Sequence, residues 1–442
     1  MRLLHTPGFG KCKTRNKCHW RLEFLDIVKR FFPEKQHKHR YVIDRMKTQV
    51  KKVNKFFKNH KSVSMFLFVV LATCVSLQSI ILVAKSDIFV RNYHLQYEQL
   101  KSMYYNSQFV KKKNPGIIPD EKIYAFGGGI FLKGLNPILI VHDHPPLGRY
   151  IISFSILLFD NSSTIPIFLL FSSAIGVFLI SYEIFKNKFI SLVPTGIFMN
   201  EPLFLTKFSF SPLLETIQLP FIIFGIYFFI KGVSEKNFGR WFFLTSIMLG
   251  FVISTRFFIP GLFMVFAFIA YFILNKMFLN RRMILFLAYL PVCLLILISS
   301  YARTIQSGYS IWQIFGIQKY IYYYQSSKLI LPFSFWDLLF FNKWHTWWGD
   351  MRILSDSNWI ILWPISFLLS FILFILVLAR RVGLQTGEKI VFLWIIFYMA
   401  MLSAGTATTR FFLPLSPFFY ILSVSCVKKI YTIAAKKTGR SK

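Results

Sequence analysis

The sequence predicts an all-α polytopic membrane protein with about ten to eleven transmembrane helices and two long extracytoplasmic loops carrying short interfacial helices. Three observations predict this. The 442 residues are 55% hydrophobic with a mean hydropathy of +0.51, beyond what a soluble domain needs to build a core. Several stretches hold about eighteen or more nearly uncharged residues, enough to cross a hydrocarbon core of roughly 30 Å. The formal net charge of +34 is distributed as membrane orientation requires, with Lys and Arg gathered between alternate spans.

The elements follow in order. Residues 1–64 read as a basic cytoplasmic segment, with 18 Lys/Arg against 4 Asp/Glu. The positive-inside effect holds such a segment in the cytoplasm and anionic headgroups attract it, so nucleic acid is not the expected partner. It does not read as a signal peptide, because a long polar stretch precedes the first apolar run. The membrane domain covers 65–430, with spans near 66–84, 165–184, 188–205, 213–230, 239–254, 257–275, 283–301, 359–379, 388–403 and 410–427. Residues 431–442 form a basic cytoplasmic tail. The stretch 150–159 is apolar but too short to cross and reads as an interfacial helix; counting it as a span raises the number to eleven and inverts every later loop.

Charge then fixes the sides. The predicted inside connections carry Lys186 and Lys188; Lys231, Lys236 and Arg240; Lys276, Arg281 and Arg282; Arg380, Arg381 and Lys389. The outside loops are 85–164 and 302–358, the second holding Tyr322-Tyr323-Tyr324, Trp336, Trp344, Trp347 and Trp348. Aromatics there suit an interfacial belt and equally suit a surface that stacks on sugar rings. Of the five cysteines, Cys74, Cys293 and Cys426 lie in apolar spans and Cys12 and Cys18 in the basic prefix, so external disulfides are not expected. Cys12, Cys18 and His19 lack a second ligand pair, which leaves little case for a metal site.

Two clusters in the first outside loop carry chemistry. Asp120 and Glu121 follow Pro119 and precede Gly127-Gly128-Gly129, which read as turn signals. A carboxylate at a membrane face can serve as general base for a hydroxyl; it can equally be an acid pair favoured by a helix N-terminus. The second cluster is Asp143-His144-Pro145-Pro146-Leu147-Gly148-Arg149. The prolines impose an extended chain, and Gly148 permits a turn or a close approach. This motif ends where the chain meets the membrane, so His144 and Arg149 are expected at the phosphate end of any lipid-borne substrate. Glu201, Glu215, Lys207, Arg256 and Arg410 fall at the same predicted face. Ions at a membrane edge are costly and usually face a cavity or a partner. Arg256 and Arg410 have no acid near them in sequence, so both are expected to be available to a lipid phosphate in one pocket facing the first loop.

At these residues the chain resembles the GT-C superfamily of polyprenyl-phosphate-sugar-dependent glycosyltransferases, and within it the protein O-mannosyltransferase branch. That branch has an Asp-Glu pair in the first external loop, matched by Asp120-Glu121. Its His-Pro-Pro-Leu-Gly-Lys motif is matched by His144 to Arg149, with Arg for Lys. Weaker echoes are Glu215 where relatives commonly have Asp, Ser254-Thr255-Arg256-Phe257 as a short basic turn, His345-Thr346-Trp347-Trp348 as a reduced His-and-Trp loop motif, and Arg410-Phe411-Phe412-Leu413-Pro414 for a late Arg-Tyr element. The similarity runs over about residues 66–427, and the chain lacks a large domain inserted in its second long loop.

The resemblance implies a GT-C-like membrane domain and transfer of a sugar, mannose by analogy, from a polyprenyl-phosphate donor to an acceptor hydroxyl outside the cytoplasm. It implies Asp120 as the base with Glu121 in support. It implies substrate binding by Asp143, His144, Arg149, Glu215, Arg256, His345 and Arg410, with Arg149, Arg256 and Arg410 as the cations for the leaving phosphate. The expected partners are that donor, a protein or a glycan or lipid acceptor, and membrane lipids, in the cell membrane or the endoplasmic reticulum membrane. No cofactor is expected, although Asp120, Glu121, Asp143 and His144 could jointly ligate a divalent cation. The rival function is a transporter or flippase of lipid-linked saccharides. That class commonly shows repeats and mid-membrane charges, whereas here the acids sit in a loop and no repeat is visible. A structural membrane subunit, the third reading, leaves both loop motifs without a reason.

Overall fold

The structure, a computed structural model, describes residues 87–437 apart from 112, 141, 210–211, 327–330, 347–351 and 406, together with scattered helical positions between 65 and 84. The chain divides into two units, Met1–Leu67 and Phe68–Lys442. The basic prefix with Cys12, Cys18 and His19, as well as Cys74, Trp347 and Trp348, lies outside the described residues.

The second unit is a helical bundle. The first outside loop folds into three helices, α1 (Tyr93–Tyr105), α2 (Asp120–Leu132) and α3 (Leu147–Phe159). Then come α4 (Thr164–Phe185), α5 (Lys188–Met199), α6 (Pro202–Ser209), α7 (Leu214–Ser234), α8 (Phe238–Thr255) and α9 (Ile259–Leu274). They continue as α10 (Arg281–Tyr289), α11 (Pro291–Ser300), α12 (Ala302–Gln306), α13 (Ile311–Ser326) and α14 (Ser334–Phe341). A two-residue antiparallel pair, β1 (Trp344–His345) with β2 (Ile353–Leu354), precedes α15 (Leu362–Leu378), α16 (Thr386–Ser403) and α17 (Ser416–Lys437).

Among the described residues five helical segments are long and apolar enough to cross a membrane: 164–185, 214–234, 238–255, 281–300 and 386–403. Shorter apolar helices fill the places of other expected spans, 188–199, 259–274 and 362–378. Three expectations are corrected. The span expected at 188–205 breaks at Asn200-Glu201, because Pro202 cannot donate a backbone bond and opens a new helix. The last span starts at Ser416 rather than 410, since Thr409–Phe412 winds as a 3-10 turn ahead of Pro414. Gly127-Gly128-Gly129 mark no turn. They sit inside α2, where a Cβ on Gly128 would come within 2.6 Å of Ile152, so the glycines let α3 cross closely.

The turn after α3 returns to the start of the first outside loop: Asn161 Nδ2 donates to the carbonyls of Ile88 at 2.6 Å and Arg91 at 3.1 Å. Helix α3 therefore begins and ends on one face of the bundle, leaving Phe154, Leu157, Leu158 and Phe159 more than half exposed. The core is dominated by Phe. Phe229 stacks on Phe268 at 3.9 Å and meets Tyr271, Phe272 and Phe286 edge-on. Aromatic edges and faces supply packing between helices where lipid removes the usual hydrophobic drive.

Candidate active site

Five separate stretches of sequence converge at one end of the bundle. Pro119 starts α2, so Asp120 and Glu121 occupy its first turn, as the helix dipole favours. Gly148 brings the second motif to the same place. A Cβ there would lie 2.6 Å from Leu214 and 2.9 Å from the Thr255 carbonyl oxygen, so only glycine lets α3 touch the start of α7 and the end of α8. Those two ends carry Glu215 and Arg256. The 3-10 turn before α17 supplies Arg410.

Glu215 is the hub. It is 4% exposed and pairs with Arg256 Nη2 at 3.2 Å and Arg410 Nε at 3.1 Å. Arg410 reaches on through Nη1 to donate to the Asp120 carboxylate. The two arginines are thus not available as the sequence suggested: acids far away in the chain meet them in space. Neither contact to Glu215 has hydrogen-bond geometry, however, and both Glu215 oxygens and Arg256 Nε lack a hydrogen-bond partner. Both guanidinium groups lie near the Phe411 ring, at 4.7 Å for Arg256 and 5.6 Å for Arg410.

The motif residues play a different part. Arg149 is fully buried, donates to the Asp143 carboxylate, and reaches the His144 carbonyl at 3.2 Å. This binds the Pro-Pro turn to its own helix. Arg149 also stands 5.5 Å from the Tyr124 ring on α2, and His144 6.1 Å from it. Tyr124 lies one turn after Asp120, and burial followed by the charges of Asp120, Asp143 and Glu215 pushes its phenol well up. His345 stands on β1 and faces Asp337 of α14 at 3.6 Å. Of the four residues that could jointly ligate a divalent cation, Asp120 pairs with Arg410 and Asp143 with Arg149. Among the described residues no three His, Cys, Asp or Glu groups come together as metal ligands do.

Sequence reasoning placed Lys207 and Glu201 at this face without giving them a role, and missed Asp356 and Trp363. Lys207 on α6 is held down from its usual value by burial, against the nearby carboxylates of Glu215, Asp356 and Glu121. Asp356 accepts from the Thr409 hydroxyl and so fixes the residue before Arg410. Glu201 accepts the Trp363 indole N–H at 2.7 Å, and Trp363 packs its ring 4.2 Å from Phe412. Lys207 had a signal, a lone cation beside a predicted outer turn. Asp356 and Trp363 had none, since their role exists only through tertiary contact.

Residues 143–301 match the family model described as dolichyl-phosphate-mannose-protein mannosyltransferase. This stretch holds Asp143, His144, Arg149, Glu215 and Arg256. The fold is similar to the crystal structure of ArnT from Cupriavidus metallidurans bound to undecaprenyl phosphate, with a TM-score of 0.51 and 14% identity, covering 77% of this chain and 59% of that one. The apo structure of the same protein gives a TM-score of 0.50 at 12% identity, with 70% and 55% covered. The chain thus spans less than two thirds of the length of either. A search of curated protein sequences finds no match. The likeness is one of fold: a helical, polytopic architecture of the kind seen in ArnT.

Proposed function

We propose that the protein is an integral-membrane glycosyltransferase that moves a sugar, mannose by analogy, from a polyprenyl-phosphate donor to an acceptor hydroxyl on the extracytoplasmic side. The observation that carries this reading is Arg410 bridging Asp120 and Glu215 at the bundle end. In the proposed step Asp120 takes the proton of the acceptor hydroxyl. The hydroxyl oxygen then bonds to the anomeric carbon, and the bond from that carbon to the phosphate oxygen breaks. Polyprenyl phosphate leaves with the electron pair, stabilised by Arg410 and Arg256 in a site of low dielectric.

The Asp120–Arg410 pair gives this step an order. A donor phosphate competes with Asp120 for Arg410, and Arg favours it through bidentate geometry. Donor binding then releases the base. Asp143, His144 and Arg149 shape the wall between α2 and α3, and Lys207 adds cationic potential. An apolar groove of about 560 Å³ runs between α3, α8 and α11, lined by Leu147, Phe251, Leu295 and Ile296 with Arg303 at its end, and it suits a prenyl chain. The acceptor is a protein, glycan or lipid hydroxyl.

The test is an assay of membranes containing the protein with labelled polyprenyl-phosphate sugars, mannose among them, followed by identification of the labelled acceptor. Transfer from one donor supports the reading. Translocation of the intact donor without transfer would instead establish the flippase alternative.

A further inference from the structure

The tyrosines of α13 stand on a helix that is fastened to the candidate site. Its buried stripe, Ile314, Gln318 and Ile321, packs toward the end of α11, with Gln318 Nε2 donating to the Tyr301 hydroxyl at 2.9 Å. At its C-terminal end Gln325 Nε2 donates to the Asp143 carbonyl at 3.2 Å. Tyr322 stacks on Phe257, the neighbour of Arg256, at 6.4 Å. The helix is therefore fastened to the motif loop and to the arginine turn.

Tyr320 and Tyr324 are one turn apart, and their rings stack at 6.3 Å with 20° between planes. His142 continues the surface, its Nε2 3.1 Å from the Tyr320 hydroxyl and its ring 5.3 Å away. Tyr324 lies close enough to the reacting end for Asp143 and Asp120 to act on it: burial first, then those charges, pushes its phenol up to about 12. It stays neutral and keeps its proton to donate. Asp120 keeps a 40% exposed side chain, so the base is open to ligand beside this surface.

We propose that Tyr320 and Tyr324, continued by His142, form the wall that stacks on the pyranose ring of the donor and selects which sugar is transferred. This rests on the glycosyltransferase reading above. The aliphatic C–H face of a pyranose presents weakly positive hydrogens, which the negative face of an aromatic ring attracts. The phenol and imidazole groups at the edge of the stack read the hydroxyl pattern, and a polar site rejects a sugar that leaves its donors unpaired.

The experiment compares Tyr324→Ala, Tyr320→Ala and Tyr324→Phe with Trp312→Ala, a control on the same helix that is 82% exposed. Two quantities are read: KM for the sugar-bearing donor, and affinity for polyprenyl phosphate without a sugar. We expect each Tyr→Ala variant to raise donor KM by about tenfold or more while bare-lipid affinity stays within about twofold. Tyr324→Phe should keep most of the donor affinity but narrow the difference between sugars, and Trp312→Ala should move neither quantity. Equal losses for both ligands would overturn the proposal, since α13 would then only hold the loop. No loss for either, or the same loss in Trp312→Ala, would return the tyrosines to the lipid interface. If the wild-type protein transfers sugar from no donor at all, the failure belongs to the glycosyltransferase reading, which the unmutated protein tests on its own.

Discussion

Two buried glutamates at opposite ends of the bundle solve the same problem differently. Glu388, 1% exposed in the first turn of α16, is fully served: Ser425 donates to one oxygen, and the Gln385 backbone N–H at 2.7 Å and Lys429 at 2.5 Å serve the other. Glu215, 4% exposed, faces two guanidinium groups yet has no hydrogen bond on either oxygen. Buried carboxylates are normally satisfied, so the second case needs a reason. Glu388 is a joint between α16 and α17. Glu215 holds Arg256 and Arg410 in place by charge, and Arg410 spends one N–H on Asp120, the contact that a donor phosphate would displace under the proposed function. Helix α7 shows the same contrast along its own length: Glu215 opens it, and Lys231 near its other end pairs with Glu183 at 3.0 Å and with Glu235.

The broadest way to break this comparison is to ask which end faces out. Cysteine placed at Val110, which is 45% exposed near the site end, should react with an impermeant reagent added outside cells. Cysteine at Glu235 should not. The reverse pattern would put the site in the cytoplasm and remove an external acceptor. Next in size is Asp120→Asn, which keeps the shape of the carboxylate and removes the base. Turnover should fall by about 10²–10⁴-fold with donor binding largely kept. A variant with more than about a tenth of wild-type turnover would mean that Asp120 is not the base.

Much of this end was legible because charge and proline are rare in apolar sequence. Asp120, the Pro145-Pro146 turn and Arg410 stand out against their neighbours, and alternating basic loops place them on one face. Pairing was not legible. Arg410 meets Asp120 across 290 positions, and Arg149 turns inward to Asp143, because in a dry interior each charge takes the nearest opposite charge that packing allows. The glycine triplet misled for a related reason: a small-residue run reads as a turn locally but serves helix crossing when a second helix arrives. The place of His345 on β1 beside Asp337 was not legible either, since it depends on a pairing that two residues cannot signal.

The two glutamates should also separate by readout. Glu215→Gln keeps the volume and removes the counter-charge of Arg256 and Arg410, so activity should drop by about a hundredfold with a small change in Tm. Glu388→Ala strips a satisfied joint and leaves Lys429 without its acid, at a cost of about 3 kcal/mol, while activity of the folded fraction stays near normal. Purified protein in one detergent, measured for both Tm and transfer, resolves the two. Equal loss of both quantities in both variants would erase the distinction between joint and site.

The smallest expected effect uses glycines in place of charges. A methyl group on Gly148 would press on Leu214 and on the Thr255 backbone oxygen, while one on Gly383, between α15 and α16, meets nothing within 4 Å. Gly148→Ala must therefore push α3 away from α7 and α8, an overpacking cost of about 1–3 kcal/mol. The same shift moves the Asp143–Arg149 turn relative to Glu215 and Arg256, so kcat should fall more than stability alone explains. Gly383→Ala should leave both within error. If Gly148→Ala lowers Tm but leaves kcat of the folded protein unchanged, the close contact of α3 serves only packing, and the His144-to-Arg149 motif is not part of the wall that positions the donor.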